Sequence, residues 1–280
     1  MSDAHGGAVA RAVDQLPKHT GDPSPAGDDL PASLRPYYRG MSDADRSALW
    51  RQRLHEAEAG LTRLLVARSD NGVELTDWFA LKAEIFADLP DSLTAPPAAW
   101  QRIFFRGQAL MERFLVSRYG EQSLADWARA NAEVHRVVEP DHGRGAADPI
   151  HRIARQAELY SSDYELGSDD DDPADGSGAG HAAVTITHCA IWDYREQARR
   201  SGVRLTLESP CTYCTAALSA NIQAKGYRPA HRLRTGPTGH GCHWEATAPG
   251  TAPAATASPS APAAPSAASS PSAADTPWEA

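Results

Sequence analysis

Apolar residues recur every three or four positions through the first half of the chain, which is the spacing of an amphipathic α-helix. Proline or glycine lies close to the ends of most of these stripes and marks where the helices are predicted to begin or end. Five helices are predicted in this way, at about 42–72, 76–90, 97–120, 121–138 and 148–166. Their tryptophans, phenylalanines and leucines are predicted to form a hydrophobic core.

The pattern changes after residue 180. Residues 182–188 are β-branched and alternating, which is typical of a strand. A helix at 191–200, a short strand at 203–207 and a helix opened by Ser209 and Pro210 are predicted next. A hairpin, 227–234 with 240–246, completes the order. The predicted fold class is therefore α+β, with an N-terminal helical half packed on a small antiparallel sheet.

Composition sets the predicted boundaries of the domain. Residues 1–40 and 248–280 are rich in small residues and proline and bury too little apolar surface to order, so both ends are predicted to be disordered. Residues 41–247 are predicted to form a single domain. It consists of a helical part, 41–166, an acidic mobile loop, 167–180, and a cysteine-containing module, 181–247.

Charge and hydropathy exclude several classes of function. The net charge of −9 argues against a nucleic-acid partner. The first residues lack the apolar segment of a signal peptide, and no apolar run has the length of a membrane span. A cytoplasmic protein with no membrane partner is the expectation, and the pattern leaves the oligomeric state open. In that reducing compartment, cysteines are metal ligands or reactive thiols more often than disulfides.

All four cysteines lie in the last third of the chain: Cys189, Cys211, Cys214 and Cys242. Cys211 and Cys214 are predicted in the first turns of a helix, where the helix dipole favours a thiolate. If the hairpin packs beside that helix, three or four sulfurs could converge. A tetrahedral site then follows, with zinc as the first choice of metal and an iron–sulfur cluster as the alternative. Any one of the four is alternatively a small buried residue.

Other polar residues of the module are candidates for direct roles. His188, His240 and Glu208 are candidate general bases, although a strand position for the histidines and a helix-dipole contact for Glu208 are the simpler interpretations. Arg232 and Arg234 alternate along a predicted strand and therefore share a face. They could bind a substrate carboxylate, or lie on a solvated face.

Three short segments carry a family resemblance: Ile186-Thr-His-Cys189-Ala-Ile-Trp-Asp-Tyr194 with the later Cys211, Arg234-Thr235, and Gly239-His-Gly-Cys242-His-Trp244. Over about residues 100–247 this order resembles the L-2-amino-thiazoline-4-carboxylate hydrolase family. More distantly, it is similar to 4-vinyl-reductase-type ligand-binding domains, some of which hold zinc through cysteines. The chain departs from the family pattern at Cys214, where a carboxylate is expected.

The resemblance implies hydrolytic ring opening of a small cyclic C=N substrate, which gives an N-carbamoyl cysteine. Water activated by a metal or by a histidine or glutamate would attack the C=N carbon and expel the ring sulfur. The first hypothesis is thus a hydrolase acting on a small molecule. A non-hydrolytic iron–sulfur or other metalloenzyme, and a zinc-stabilised ligand-binding module without catalysis, are the alternatives.

Overall fold

A computed structural model describes residues 40–68, 72–167, 180–236 and 239–250. The helices are α1 (Asp43–Arg68), α2 (Val73–Phe86), α3 (Pro97–Tyr119), α4 (Ser123–Val138), α5 (Ala147–Leu159), α6 (Ala190–Arg200) and α7 (Cys211–Ala224). The strands are β1 (Asp163–Leu166), β2 (His181–His188), β3 (Arg228–Gly236) and β4 (Gly239–Thr247). The predicted α+β class with a helical N-terminal half is confirmed. Residues 1–39, 168–179 and 251–280, predicted to be disordered or mobile, lie outside the described residues.

The helical half is built on the predicted stripes. Helix α1 buries Leu49, Trp50, Leu54 and Leu61 at helical spacing against α3 and α4. Its start is capped by Ser42, whose Oγ accepts a hydrogen bond from the Asp45 backbone N–H at 3.2 Å. Four tryptophans, at positions 50, 78, 100 and 127, are almost fully buried in the same core. Burial of this aromatic and aliphatic surface is the main stabilising contribution of the layer.

Helices α1 and α4 cross closely at Gly60, because a Cβ there would overlap the Asn131 side chain and lie 2.9 Å from the Asn131 Cα. We expect Gly60→Ala to lower the free energy of unfolding by about 1–3 kcal/mol through overpacking. Gly107→Ala is the matched control, since the atoms nearest to its new methyl group belong to side chains, Leu54 Cδ1 at 2.9 Å and Ile85 Cγ2 at 3.2 Å, and not to a backbone. Urea unfolding of both variants measures the difference, and an equal loss would contradict a backbone contact at Gly60.

A four-stranded antiparallel sheet, in the order β1-β2-β4-β3, forms the other layer. Its central strand β2 buries Ala182, Val184 and Ile186 on one face. Val184 is paired with Trp244, and Ile186 with Cys242, on β4. The alternation is the expected consequence of the two-residue period of a strand. It turns one face of the sheet towards the helices.

Helices α5 and α7 cover that face and join the two layers. Ile150 and Ile153 of α5 and Leu218 and Ile222 of α7 belong to one apolar cluster with Trp244. Helix α7 also packs along α4 of the helical half. The boundary between the two parts of the chain is therefore lined by helices from both.

Two sequence predictions about secondary structure were wrong. The fifth helix does not continue to residue 166, because it ends at Leu159, Ser161 has a positive φ of 61°, and Asp163–Leu166 is strand β1. Residues 203–207 form no strand, although Leu207 is buried in the helical core. In both places the outcome depends on whether a distant strand offers pairing, which a local pattern does not contain.

None of the helices within the described ranges combines the length and the apolar character that a membrane crossing requires.

Candidate functional site

A cavity of about 170 Å³ lies between the two layers. Helices α1, α3, α4 and α5 contribute to its wall from the helical half, and α6, α7 and residues 203–206 from the cysteine module. Its surface is mostly apolar and aromatic, with five arginines and two glutamates among the lining residues. Concave, largely apolar sites with a few charged groups are typical of small-molecule binding. The excess of arginines contrasts with the net charge of −9 of the whole chain.

Arg53 lies at the centre of a buried ionic network on one side of the cavity. Its Nη1 donates to Glu56 Oε2 at 2.8 Å, and its Nη2 donates to Glu139 Oε1 at 2.6 Å. Arg152 Nε donates to the other oxygen of Glu139 at 2.7 Å. Arg53 and Arg152 are both more than nine-tenths buried. Such pairs are maintained only when hydrogen bonding compensates the loss of hydration.

His135 completes the network as a neutral ring. Its Nε2 lies 3.1 Å from Arg53 Nη1, and its Nδ1 lies 3.3 Å from Glu56 Oε2. The Nδ1–H tautomer satisfies both contacts, because Nε2 then accepts from Arg53 and Nδ1 donates to Glu56. Burial, and then the charges of Arg152 and Arg53, lower the pKa of His135 far below its ordinary value. The histidine is thus held uncharged at neutral pH.

Glu56, His135 and Glu139 each place one ligand atom within 4.8 Å of the others, a spacing that a metal ion could use. The two carboxylates already neutralise Arg53 and Arg152. Burial favours the protonated form of Glu139, but Arg53 and then Arg152 outweigh it and hold the pKa of Glu139 at about 2. A divalent ion would meet two buried guanidinium groups at this point, and their repulsion argues against it. The group is best described as an ionic network.

The network leaves guanidinium groups incompletely paired beside the cavity. Arg53 Nε and Arg152 Nη1 are buried and have no hydrogen-bond partner among the described residues. Both side chains line the cavity. An unsatisfied buried N–H costs about 1–3 kcal/mol, more for a charged group. An anion bound in the cavity, with a small adjustment of these side chains, would remove that cost.

Another part of the wall carries Glu112 among aromatic residues. Glu112 Oε1 accepts from Gln108 at 3.1 Å, and Oε2 accepts from Arg195 Nη1 at the long distance of 3.4 Å. Burial raises the pKa of Glu112, and Arg195 only partly opposes this. Phe105 and Tyr194 stack nearby with their ring centroids 4.1 Å apart. A planar ligand would find both an aromatic surface and a carboxyl group here.

The four cysteines, all free, occupy the region next to the cavity. Cys189 precedes α6, and its N–H donates to the His240 carbonyl at 2.8 Å. Cys211 begins α7, where its N–H donates to Ser209 Oγ at 3.1 Å. Cys242 Sγ accepts from Trp244 Nε1 at 3.2 Å. Among the described residues that line the cavity, Cys214 is the one predicted ligand.

Burial keeps several of these groups as neutral thiols. It raises the pKa of Cys189, raises that of Cys214 well above its ordinary value, and raises that of Cys242 to about 11. The expected thiolate at Cys214 was therefore wrong for the metal-free chain. Cys214 lies in the first turn of α7, but removal of its sulfur from water outweighs the helix dipole. Each of the three other thiols further opposes ionisation of Cys214.

The sulfurs are neighbours, but they are not gathered around one point. Within the described residues, which include all four cysteines, no three ligand atoms from this group lie within 4.8 Å of one another. Sulfurs bound to one tetrahedral zinc lie about 3.8 Å apart. The donor chemistry suits zinc or an iron–sulfur cluster, but the spacing fits neither as it stands. A metal at the cysteines remains a prediction.

The predicted bases lie outside the residues that line the cavity. His188 ends β2, and its Nε2 lies 2.6 Å from Asp193 Oδ2. His240 stacks on Trp192, with the ring centroids 3.7 Å apart. Glu208 is exposed, and its backbone carbonyl accepts from Arg199 at 2.7 Å. Their catalytic roles remain predictions, and Asp193 is an orienting partner of His188 that the sequence reasoning missed.

Arg232 and Arg234 lie on β3, the edge strand of the sheet. They alternate along the strand as predicted, and both are exposed. Arg232 is paired with His243, and Arg234 with Gly241. Neither lines the cavity. The arginines that do line it come mostly from the helical half.

The residues missed by sequence reasoning left a recognisable signal. Arg53 and Glu56 lie within the apolar stripe of α1. Arg53 comes three residues after buried Trp50, and Glu56 directly precedes buried Ala57. Glu112 interrupts the buried stripe of α3 in the same way. A charged residue at a core position is costly unless a partner or a function compensates it. Searching for charges inside apolar stripes would have identified this site.

Comparison of the chain with models of known protein families, with curated proteins and with solved structures finds no match.

Proposed function

We propose that this chain is a small-molecule enzyme that binds a carboxylate-bearing substrate in the cavity between its two layers and hydrolyses it. The observation that carries the proposal is the presence of two buried arginines, Arg53 and Arg152, with unpaired N–H groups at a mostly apolar cavity. A bidentate contact between a guanidinium and a carboxylate is short, strong and directional. A substrate carboxylate is the ligand group that these arginines favour.

The size of the cavity supports a small substrate. Its volume of about 170 Å³ is below the ~300–1,000 Å³ of pockets for drug-sized ligands. The stacked pair of Phe105 and Tyr194 offers an aromatic surface for a planar ring. A five-membered heterocycle that carries one carboxylate satisfies the size, the aromatic wall and the arginines together.

The reaction comes from the resemblance to the thiazoline hydrolase family. Water would attack the C=N carbon of the ring, the carbon–sulfur bond would break, and a carbamoyl group and a thiol would result. The protein would act in the cytoplasm, where four free cysteines remain reduced. Arginines, which suit a substrate carboxylate, and glutamates, which suit proton transfer, both line the cavity and support this proposal.

The proposal is tested by incubating the full chain with 2-amino-thiazoline-4-carboxylate. We expect a product heavier by one water molecule and a new thiol in the protein-free filtrate, both detected by mass spectrometry. If the compound binds in calorimetry but no product forms, the ligand-binding hypothesis replaces the hydrolase. Neither binding nor product with this compound or its ring analogues would overturn the proposal.

Metal analysis of the anaerobically purified chain tests the cysteine prediction separately. A zinc site requires about one zinc per chain, lost in Cys189→Ser and Cys242→Ser. Iron and sulfide with a brown colour would favour the iron–sulfur alternative. Unchanged metal content and stability in both variants would show that the thiols do not share a metal.

Arg152→Lys is expected to weaken binding of the carboxylate substrate at least about tenfold. Lysine preserves a positive charge beside Glu139, but it carries all its N–H donors on one nitrogen and lacks the planar pair of nitrogens that a bidentate contact requires. Loss of one charge-assisted hydrogen bond costs about 1.5–3 kcal/mol, which corresponds to this factor or more. Calorimetric titration measures the effect.

The matched control for Arg152→Lys is Arg155→Lys. Arg155 lies one turn away on α5, pairs with Glu139 at 3.8 Å, and does not line the cavity. We expect the Arg155→Lys variant to bind the carboxylate substrate with the same affinity as the unmodified chain. Equal losses in the two variants would indicate a general effect of the network and would contradict a direct contact with Arg152.

A further inference from the structure

Glu112 differs from the other glutamates of the site in its surroundings. It is 3% exposed, belongs to α3 and lines the cavity. Glu56, the second glutamate in the wall, already accepts hydrogen bonds from Arg53 at 2.8 Å and from Gln52 at 2.7 Å. Within the part of the chain that the structure describes, the hydrogen-bond partners of Glu112 are the amide of Gln108 and the more distant guanidinium of Arg195. Its carboxyl group is therefore less committed to partners within the protein.

The contrast with Glu139 separates the roles of two buried carboxyl groups. Glu139 is paired with Arg53 and Arg152 at 2.6 and 2.7 Å, and the pKa of Glu139 is about 2. It stays ionised and serves as a counter-ion. Burial instead raises the pKa of Glu112 above its ordinary value. Two carboxyl groups whose environments separate their affinities for protons are a common arrangement in acid–base catalysis.

We propose that Glu112 is the proton-transfer residue of the cavity: it accepts a proton from the attacking water and delivers it to the leaving group. This inference rests on the proposed hydrolase function and names a catalytic residue for it. The position is favourable because Glu112 borders the space that the substrate fills. General acid–base transfer by one positioned side chain contributes about 10²–10⁴-fold to a rate.

The proposed step conserves atoms and electrons. The water oxygen bonds to the C=N carbon, the π bond of the C=N breaks with its electron pair moving to the ring nitrogen, and the carboxylate of Glu112 takes one water proton. The carbon–sulfur bond then breaks, its electron pair stays on the sulfur, and Glu112 returns the proton to that sulfur. The second water proton ends on the ring nitrogen as the carbonyl forms. No oxidation or reduction takes place.

Two ionisable groups face Glu112 from other elements among the described residues. Arg195 of α6 favours the ionised form of Glu112, and the charge of ionised Glu112 helps to raise the pKa of Tyr213 of α7. Tyr213 is already engaged, because its hydroxyl oxygen accepts from Asn131 Nδ2 at 2.6 Å. The pKa of Tyr213 is raised by burial, so it stays neutral while Glu112 titrates.

Glu112→Gln tests the inference. We expect kcat for 2-amino-thiazoline-4-carboxylate to fall at least about 100-fold, KM to change by less than about threefold, and the acidic limb of the pH profile to disappear. The variant should fold, because burial disfavours the charge that the substitution removes. Glu158→Gln is the control, since Glu158 is equally buried but does not line the cavity. Full turnover by Glu112→Gln would overturn the proposal.

Infrared spectroscopy separates failure of this inference from failure of the proposed function. The unmodified chain should show a carboxylic-acid C=O band that persists above the ordinary glutamate pKa, is missing in Glu112→Gln and is retained in Glu158→Gln. If the compound is not hydrolysed but the band is present, the proposed function fails, while Glu112 is still a buried group that holds a transferable proton. If no such band is present, Glu112 is not the proton carrier, whichever reaction takes place.

Discussion

Replacing Arg53 by methionine should lower the free energy of unfolding by about 3–5 kcal/mol, the cost of breaking a buried ion pair from one side. Arg53 is 5% exposed and pairs with Glu56 at 2.8 Å and with Glu139 at 2.6 Å. Methionine fills a similar volume but leaves Glu56 without its charged partner. Urea unfolding at neutral pH, without ligand, measures the loss.

Two further variants make the Arg53 prediction specific. Arg51→Met removes an arginine two residues earlier on α1, where its guanidinium lies 5.9 Å from the centre of the Trp100 ring, and should cost at most about 1 kcal/mol. Adding Glu56→Gln to Arg53→Met should recover part of the loss, because the charge that Arg53→Met leaves unpaired is removed. A loss in Arg53→Met no greater than that in Arg51→Met would contradict the role of the network.

Acidification should destabilise the chain in two stages, because its network contains a neutral histidine and an ionised glutamate. The pKa of His135 is far lower in the folded chain than its ordinary value near 6.5. The contribution of His135 to stability is complete above about pH 6.5 and is lost as the pH falls. Below that pH the histidine binds a proton in the unfolded chain but not in the folded chain. The expected loss is about 1.4 kcal/mol for each pH unit below about 6.

Glu139 adds the second stage. The pKa of Glu139 is about 2 in the folded chain and 4.5 ordinarily. Its contribution is present above the ordinary pKa and is lost as the pH falls from about 4.5 to about 2, by an amount of the order of 3 kcal/mol. Both stages have the same sign, so the two losses add and stability falls continuously towards acid.

Unfolding by urea at pH 7.5, 6.5, 5.5 and 4.5 tests the first stage, because these pH values lie on both sides of the ordinary histidine pKa of about 6.5. His135→Gln preserves a donor and an acceptor for Glu56 and Arg53 but does not titrate, so its stability should vary less between pH 6.5 and 5 (about 2 kcal/mol less). His55→Gln, at an exposed position on α1, should retain the dependence of the unmodified chain. The same slope in all three chains would rule out His135 as the source.

A role in ligand binding would account for the buried ionic network beside the cavity. Helices α1, α4 and α5 bury polar residues where a fully apolar core would be cheaper. Such a cost is maintained most readily where charge is required for function. The unpaired N–H groups of Arg53 and Arg152 and the weakly paired Glu112 are the parts of this arrangement that a ligand would complete.

The sequence by itself determined the α+β class, the helical half, the central strand β2 and the β3–β4 hairpin. These features depend on local periodicity, as in the spacing of Leu49, Trp50 and Leu54 on α1, or on the alternation of Ala182, Val184 and Ile186 on β2. Only the tertiary structure decided that Asp163–Leu166 pairs with β2, that Arg53 and Arg152 share Glu139, and that Cys214 alone of the four cysteines lines the described cavity. Strand pairing, ion pairing and the walls of a cavity join residues far apart in the chain, and no local pattern contains those distances.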